Sequence, residues 1–183
     1  MALTGILNHL PSPASILAPL HILAYSALLG TELYQSFIMT KIAHQALPRS
    51  AFTTLQKRIF PIYFRIQSLL LIVTAITYPS RGPLSLFQQK QDWIPWLVAG
   101  LTASLNLFIY GPRTRQIMID RIHQETIDGR KHADLEGTTP DMLRLNRAFS
   151  GAHAMSIHLN IITIGATLWY GWRLASKLKF DST

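Results

Sequence analysis

Read for polarity alone, the chain alternates long apolar runs with shorter charged ones. Four apolar runs, at about 15–39, 60–78, 93–111 and 151–172, each approach the roughly 20 residues a helix needs to cross a bilayer. They predict an all-α fold: a four-helix transmembrane bundle filling residues 1–183 as one membrane domain, with two longer connections at 40–59 and 112–150. Soluble core helices are usually shorter and striped, which disfavours a buried soluble bundle. The second long connection begins as a polar helical extension of span three, over 114–127. Asp128-Gly129 is expected to stop it, and 132–137 to form a loop. Thr139-Pro140-Asp141 then offers a capping hydroxyl, a first-turn proline and a first-turn acid to open the last helix.

Residues at i, i+3, i+4 and i+7 share a helix face. On that spacing span one aligns His21, Tyr25, Leu28, Glu32 and Gln35, and span two aligns Gln56, Phe60, Tyr63, Gln67, Leu70 and Thr74. Span three aligns Thr102, Asn106, Ile109 and Arg113, and span four Phe149, His153, Ser156, Asn160, Thr163 and Thr167. The opposite faces are aliphatic. Helices so patterned turn their polar faces inward and their oily faces to lipid. Thr102, Ser156, Thr163 and Thr167 read first as helix–helix glue.

Composition sharpens this. Hydrophobic residues make up 49% and charged residues 14%, against about a quarter charged in a soluble domain. The net charge of +8 raises nucleic acid as a partner. A nucleic-acid binder carries its cations on one face or stripe, whereas these flank apolar spans, which excludes that class and points to membrane lipids. The stretches Lys41–Arg65 and Arg113–Arg147, which take in the two longer connections, hold twelve Lys and Arg, the remaining loop and the tail five. The positive-inside rule therefore puts connections 40–59 and 112–150 in the cytoplasm and both termini on the far side; in a mitochondrial membrane the rule carries less weight. Trp93, Trp96, Tyr170 and Trp172 fall at span ends, as interfacial anchors do. No Lys or Arg precedes Lys41, so the first span reads as a retained anchor and not a cleaved leader. A short echo, Pro48-Arg49-Ser50 after span one and Pro112-Arg113-Thr114 after span three, fits either a parallel helix-pair repeat or chance.

Ionisable groups inside spans are the candidates for chemistry. A charge at mid-membrane costs about 2.5–3.5 kcal/mol even on lenient scales. Glu32 and His153 therefore need partners or a wet cavity, unless Glu32 reaches the interface from its place late in span one. His158 lies off the stripe and reads as a packing or lipid-facing residue. His21, His153 and Glu32 are of types that ligate metal, but His21 and Glu32 are separated by about 16 Å of helix rise. No local ligand spacing is present, so neither metal nor cofactor is expected. The chain has no cysteine, which removes disulfides and thiolate sites.

The chain resembles the transmembrane protein 205 family of small four-span eukaryotic membrane proteins. Leu47-Pro48-Arg49 with Phe52, Gln56, Phe60-Pro61 and Tyr63-Phe64 is similar to the family's LPRxxFxxxQxxxFPxYF. Asn106, Pro112-Arg113-Thr114 and Met118 match its N…PRT…M; Phe149, His153, Ser156 and Asn160 match its FxxxHxxSxxxN. His21 and Gly30 fall where its first span has them. Gly111 stands where the family has an acid before PRT, and the cysteines of some members are missing. The resemblance implies a protein of vesicular handling and drug tolerance, without a mechanism.

Stripes and motifs coincide at Gln56, Asn106, His153 and Asn160. With His21, Glu32, Arg49, Tyr63 and Arg113 they outline a polar site near the cytoplasmic ends of the spans, lidded by 47–64. Arg49 and Arg113 suit an anionic headgroup, or serve only topology and helix ends. Three functions compete. The first is an endomembrane protein, of the endoplasmic reticulum or a related compartment, that binds or moves a lipid or small amphiphile, as a homo-oligomer if it transports. The second is a membrane-embedded oxygenase, isomerase or cyclase with His153 as acid/base, helped by Asn106 and Asn160. The third is a scaffold.

Overall fold

The structure, a computed structural model, describes residues 13–79, 82–129 and 139–177. The expected loop at 132–137 lies outside the described residues. Every regular element among the described residues is helical. Helix α1 (Pro13–Leu33) runs through a π-helical turn, Tyr34–Met39, into α2 (Thr40–Ala46). Helix α3 spans Arg49–Ile76, and α4 (Pro83–Leu86) is a single turn. Helix α5 (Lys90–Leu105) passes through a second π turn, Asn106–Tyr110, into α6 (Gly111–Asp128). Helix α7 spans Pro140–Ala175. These make four long rods. Three of them, Ser15–Ala46, Arg49–Ile76 and Lys90–Asp128, are long and apolar enough to cross a membrane. The rod α7 is long enough but carries His153, His158 and Asn160 within its apolar stretch.

The rods overrun the expected span limits. Between α2 and α3 the chain turns at Leu47 and Pro48 alone. Leu47 is extended (φ −108°, ψ 143°), the conformation that a following proline enforces. Pro48 (φ −55°, ψ 147°) then leads into α3. Gly129 ends α6 in the left-handed region (φ 62°, ψ 17°), which glycine adopts without the usual Cβ cost. Thr139 caps α7: its Oγ1 accepts from the Met142 N–H at 3.3 Å, with Pro140 in the first turn.

Helix α1 packs on α3, α3 on α5, α5 most extensively on α7, and α7 back on α1. Leu28, Leu71, Ala99, Ala103 and Ala166 form the apolar centre. Three of these five are alanine, so the backbones approach closely. Thr102 and Thr163 join α5 to α7 through their hydroxyls at 2.7 Å. The outward faces carry large exposed apolar side chains: Leu23 on α1, Leu69 on α3, Leu101 on α5, Ile161 and Leu168 on α7. Soluble folds bury such residues; exposed faces of this kind suit contact with membrane lipid. Tyr170 departs from its expected anchoring role: it is buried, and Trp96 packs against its ring at 4.9 Å.

Candidate functional site

The predicted face of α1 is the buried one. His21, Leu28 and Glu32 have no exposed surface, and Gln35 is buried. The His21 Nδ1–H donates to the Thr74 carbonyl at 2.9 Å, leaving Nε2 of the neutral ring to accept from the Tyr170 hydroxyl at 2.6 Å. Glu32 does not reach an interface. Its Oε1 accepts from Gln67 Nε2 at 3.0 Å and faces the Thr167 hydroxyl at 3.4 Å, while Oε2 has no partner. From there the polar contacts run outward. The Gln67 amide is 3.3 Å from the Tyr63 hydroxyl, and Tyr63 donates to Asn160 Oδ1 at 2.8 Å. Asn160 Nδ2 donates to Ser36 Oγ at 2.8 Å. Helices α1, α3 and α7 are thus tied through Glu32, Tyr63 and Asn160, with Gln67 as the hub.

Ser36 and Asn160 open onto a cavity of about 1400 Å³ between the ends of the rods. Leu47 and the face of α3 from Arg49 to Phe64 form one wall, α6 a second and α7 a third. Its rim includes Phe37, Ile62 and Ile161, so the cavity opens on the exposed apolar surface. His153 lines it, stacked on Phe149 at 5.2 Å and 17°. The Arg121 guanidinium lies over the other contact of that stack, 4.5 Å from the Phe149 ring centre.

The two π turns decide which residues face the cavity. A π turn inserts one residue and rotates everything after it by about 100° relative to an α-helix. Beyond Asn106 the inward positions therefore become Thr114, Met118 and Arg121, all lining the cavity. Ile109 and Arg113, expected inward, are exposed, and Arg113 is not part of the lining. The turn at Tyr34–Met39 has the same effect, bringing Ser36, Thr40 and His44 to the cavity. The Thr40 N–H and hydroxyl both donate to the Gln35 carbonyl, the latter at 2.8 Å, satisfying the group that the wider turn displaces.

Of the expected site residues, Arg49, Gln56, His153 and Asn160 line the cavity. Tyr63, Glu32 and His21 lie in the polar interior behind it. Asn106 is buried, with its Nδ2 donating to the Ser156 carbonyl at 3.0 Å, and is outside the lining. His153, Asn106 and Asn160 are therefore not gathered at one point of the cavity. His21, Glu32 and His153 occupy three separate surroundings. His158 is exposed, its ring N–H donating to the Ala154 carbonyl at 2.7 Å. Sequence reasoning passed over Ser36, Arg121 and the hub role of Gln67; only Gln67 lay on a recognised stripe.

At the opposite end, fully buried Asp92 pairs with Lys177 and, at 3.5 Å, with Arg173, and accepts from the Tyr78 hydroxyl at 2.7 Å. This cluster clamps the start of α5 to the end of α7. Asp92 is the lone acid of the loop between spans two and three, and no local pattern links it to partners more than 80 residues on.

Two comparisons bear on this arrangement. A family model described as a domain of unknown function (DUF4149) matches residues 23–123. A protein of Aspergillus fumigatus named xanthocillin biosynthesis cluster protein D is 43% identical over 164 residues, covering 90% of this chain and 92% of that protein. No solved structure matches.

Proposed function

The chain belongs to the DUF4149 family, and on that premise we propose that it is a four-span integral protein of endomembranes that binds a small amphiphile or lipid and helps to move it. The motifs around Pro48, Pro112 and His153 support placing it with the transmembrane protein 205 proteins. The exposed apolar side of α7, with Ile157, Ile161 and Leu168, supports its crossing the membrane as a fourth rod. The excess of Lys and Arg in the two longer connections supports a cytoplasmic cavity.

One observation carries the reading: a cavity of about 1400 Å³ whose largely apolar wall also carries cationic and amide side chains, and whose rim includes exposed apolar residues. Small-ligand pockets are typically about 300–1,000 Å³, so this one has room for a headgroup and part of a chain. A scaffold has no need of such a space between well-packed rods. A relative named for a biosynthesis cluster fits a small-molecule cargo. Native mass spectrometry of the protein released from native-membrane nanodiscs tests the proposal. The expected spectrum shows a stoichiometric small molecule or lipid, weakened when His153→Trp crowds the cavity wall beside Phe149. Protein with no adduct beyond random annular lipid in both forms would remove the reading.

A further inference from the structure

The cavity wall holds polar atoms that the described residues leave unsatisfied. Gln56 lines it and is 4% exposed, yet neither its Nε2 nor its Oε1 has a hydrogen-bond partner among the described residues. Thr114 lines the wall that α6 supplies, and its Oγ1 is buried and likewise without a partner. Other threonines inside the bundle return their hydroxyls to the carbonyl one turn back, as Thr74, Thr102 and Thr163 do. Thr114 makes no such bond. A buried polar group in a native fold ordinarily has a partner. Here an amide and a hydroxyl beside one cavity both lack theirs, and a rotamer step toward a ligand breaks no existing bond at either.

The two side chains sit on facing walls at different depths. Helix α3 starts at the cavity and runs away from it, while α5 and α6 run toward it, so α3 and α6 are antiparallel. They meet where a Cβ at Gly111 would lie 3.1 Å from the Phe64 ring. From that contact outward, Thr114 stands three residues along α6, about 4.5 Å of rise, and Gln56 eight residues back along α3, about 12 Å. The difference, about 7–8 Å, is too long for one hydrogen bond. It is the span of two hydrogen bonds of about 2.9 Å with a short polar link between them. Phe60 lines the wall between Gln56 and Phe64.

The unsatisfied pair is uncharged. Arg58, Arg65 and Arg115 also contribute to the lining, but they stand at exposed positions where water solvates them. An amide presents a donor and an acceptor together, and the neutral group that answers both is another amide. A hydroxyl answers Thr114 in the same way.

We propose that the cavity takes an uncharged amphiphile whose headgroup carries a secondary amide beside a hydroxyl. The amide N–H donates to Gln56 Oε1, its carbonyl accepts from Gln56 Nε2, and the hydroxyl pairs with Thr114 Oγ1. The acyl chain leaves past Phe60 toward the apolar rim at Ile62. This rests on the amphiphile-binding reading above and narrows it to one headgroup chemistry. A two-chain membrane lipid and a free single-chain amide both carry that chemistry.

The test uses the full chain in nanodiscs of phosphatidylcholine, with binding titrated by native mass spectrometry. The probes are N-oleoylethanolamine, its ester analogue 2-hydroxyethyl oleate, N-ethyl oleamide, oleate and N-oleoyl sphingosine. Comparing probe ratios between parent and variant cancels each probe's own partitioning into the bilayer. The ethanolamide is expected to bind at least about tenfold more tightly than the ester, which lacks the N–H, a difference of about 1.4 kcal/mol. Gln56→Met should shrink that ratio to about twofold or less. Thr114→Val should leave it intact and instead shrink the preference for the ethanolamide over N-ethyl oleamide, which lacks the hydroxyl. Both replacements are close in shape to the originals and remove only unpartnered atoms, so each should keep the parent's thermal stability; Gln56→Leu is the second variant if Gln56→Met does not. N-oleoyl sphingosine matching the ethanolamide supports the proposal with a membrane lipid as ligand, and its exclusion supports it with a free single-chain amide. Equal binding of amide and ester, or a ratio unmoved by Gln56→Met, overturns the amide pairing while leaving amphiphile binding in place. Oleate binding more tightly than the ethanolamide would give the leading part to the wall's cations, Arg121 with its buried, unpartnered Nε among them, and overturns the uncharged class. No binding of any probe removes the parent reading as well.

Discussion

Gly111→Ala tests the π turn that sets the face of α6. A Cβ built at Gly111 lies 2.5 Å from the Asn106 carbonyl oxygen and 3.1 and 3.2 Å from two ring carbons of Phe64. The first contact is about 0.9 Å inside the 3.4 Å of ordinary packing. Its partner is backbone and cannot swing away. Phe64 is itself buried and wedged by Phe60 and Tyr63, at ring separations of 5.9 and 5.3 Å. Overpacking of this kind costs about 1–3 kcal/mol. Alanine opposes it with a helix-propensity gain of about 1 kcal/mol over glycine. Because the short contact is to backbone, the cost belongs in the upper part of that range, about 2–3 kcal/mol, and the net expectation is a loss of about 1–2 kcal/mol, or a Tm lower by about 2–8 °C for a chain of this size. Scanning fluorimetry in nanodiscs measures it. Phe64→Leu in the Gly111→Ala background should restore less than half, because the carbonyl contact survives it. A larger side chain at 111 would likewise need the space that Phe64 and the Asn106 carbonyl occupy. Gly111→Ala as stable as the parent would refute the close approach, and with it the register that turns Arg113 outward.

Other outcomes follow from particular contacts. Because the chain has no cysteine, Thr114→Cys and Arg113→Cys can be compared cleanly by maleimide labelling: a bound amphiphile should protect position 114 at least several-fold and leave 113 unprotected, and equal protection would contradict the bulge-shifted face. Glu32→Gln keeps an acceptor for Gln67 and removes a carboxylate with no cationic partner among the described residues, so it should be at least as stable as the parent; Glu32→Leu should cost about 1–3 kcal/mol by stranding the Gln67 amide, and equal stability of the two variants would sink the network. Asp92→Ala should destabilise by about 1–3 kcal/mol, less than a fully buried pair because Lys177 and Arg173 are partly solvated, and the gap should narrow in high salt. A double-mutant cycle of Thr102→Val and Thr163→Val should return a coupling near 0.6 kcal/mol, since both hydroxyls also have carbonyl acceptors on their own helices; a coupling above about 2 kcal/mol would exceed what such bonds supply.

Much of the fold was legible because membrane helices separate their faces so strongly. The stripes on α1, α3 and α7 predicted buried His21, Gln67, Ser156 and Thr167 residue by residue, and of the two positions open to Glu32 the structure shows the buried one. The signals at Thr139-Pro140 and Gly129 are local: the first opens a helix and the second ends one, each where expected. What failed did so for a physical reason. Periodicity assumes 3.6 residues per turn throughout, and the π turns at 34–39 and 106–110 break that assumption without a signature in composition. Arg113 therefore looked inward and Arg121 was passed over, although the error is a rotation of one residue. Tyr170 was read by its place at a span end, where tyrosine often anchors; its hydroxyl instead meets His21 from a helix nearly 150 residues away. Asp92 was invisible for the same reason, since its cationic partners belong to the end of α7.

The account stands on an amphiphile occupying the cavity between α3, α6 and α7, and photo-crosslinking tests that most directly. N-oleoylethanolamine bearing a diazirine near its headgroup would be bound to the full chain in nanodiscs, irradiated, and its adducts mapped by peptide mass spectrometry. The account predicts adducts on the cavity walls at Phe52, Gln56, Phe149 and His153, competed away by unlabelled probe. Adducts confined to lipid-facing residues such as Leu69, Leu101 and Leu168, and indifferent to competitor, would contradict it.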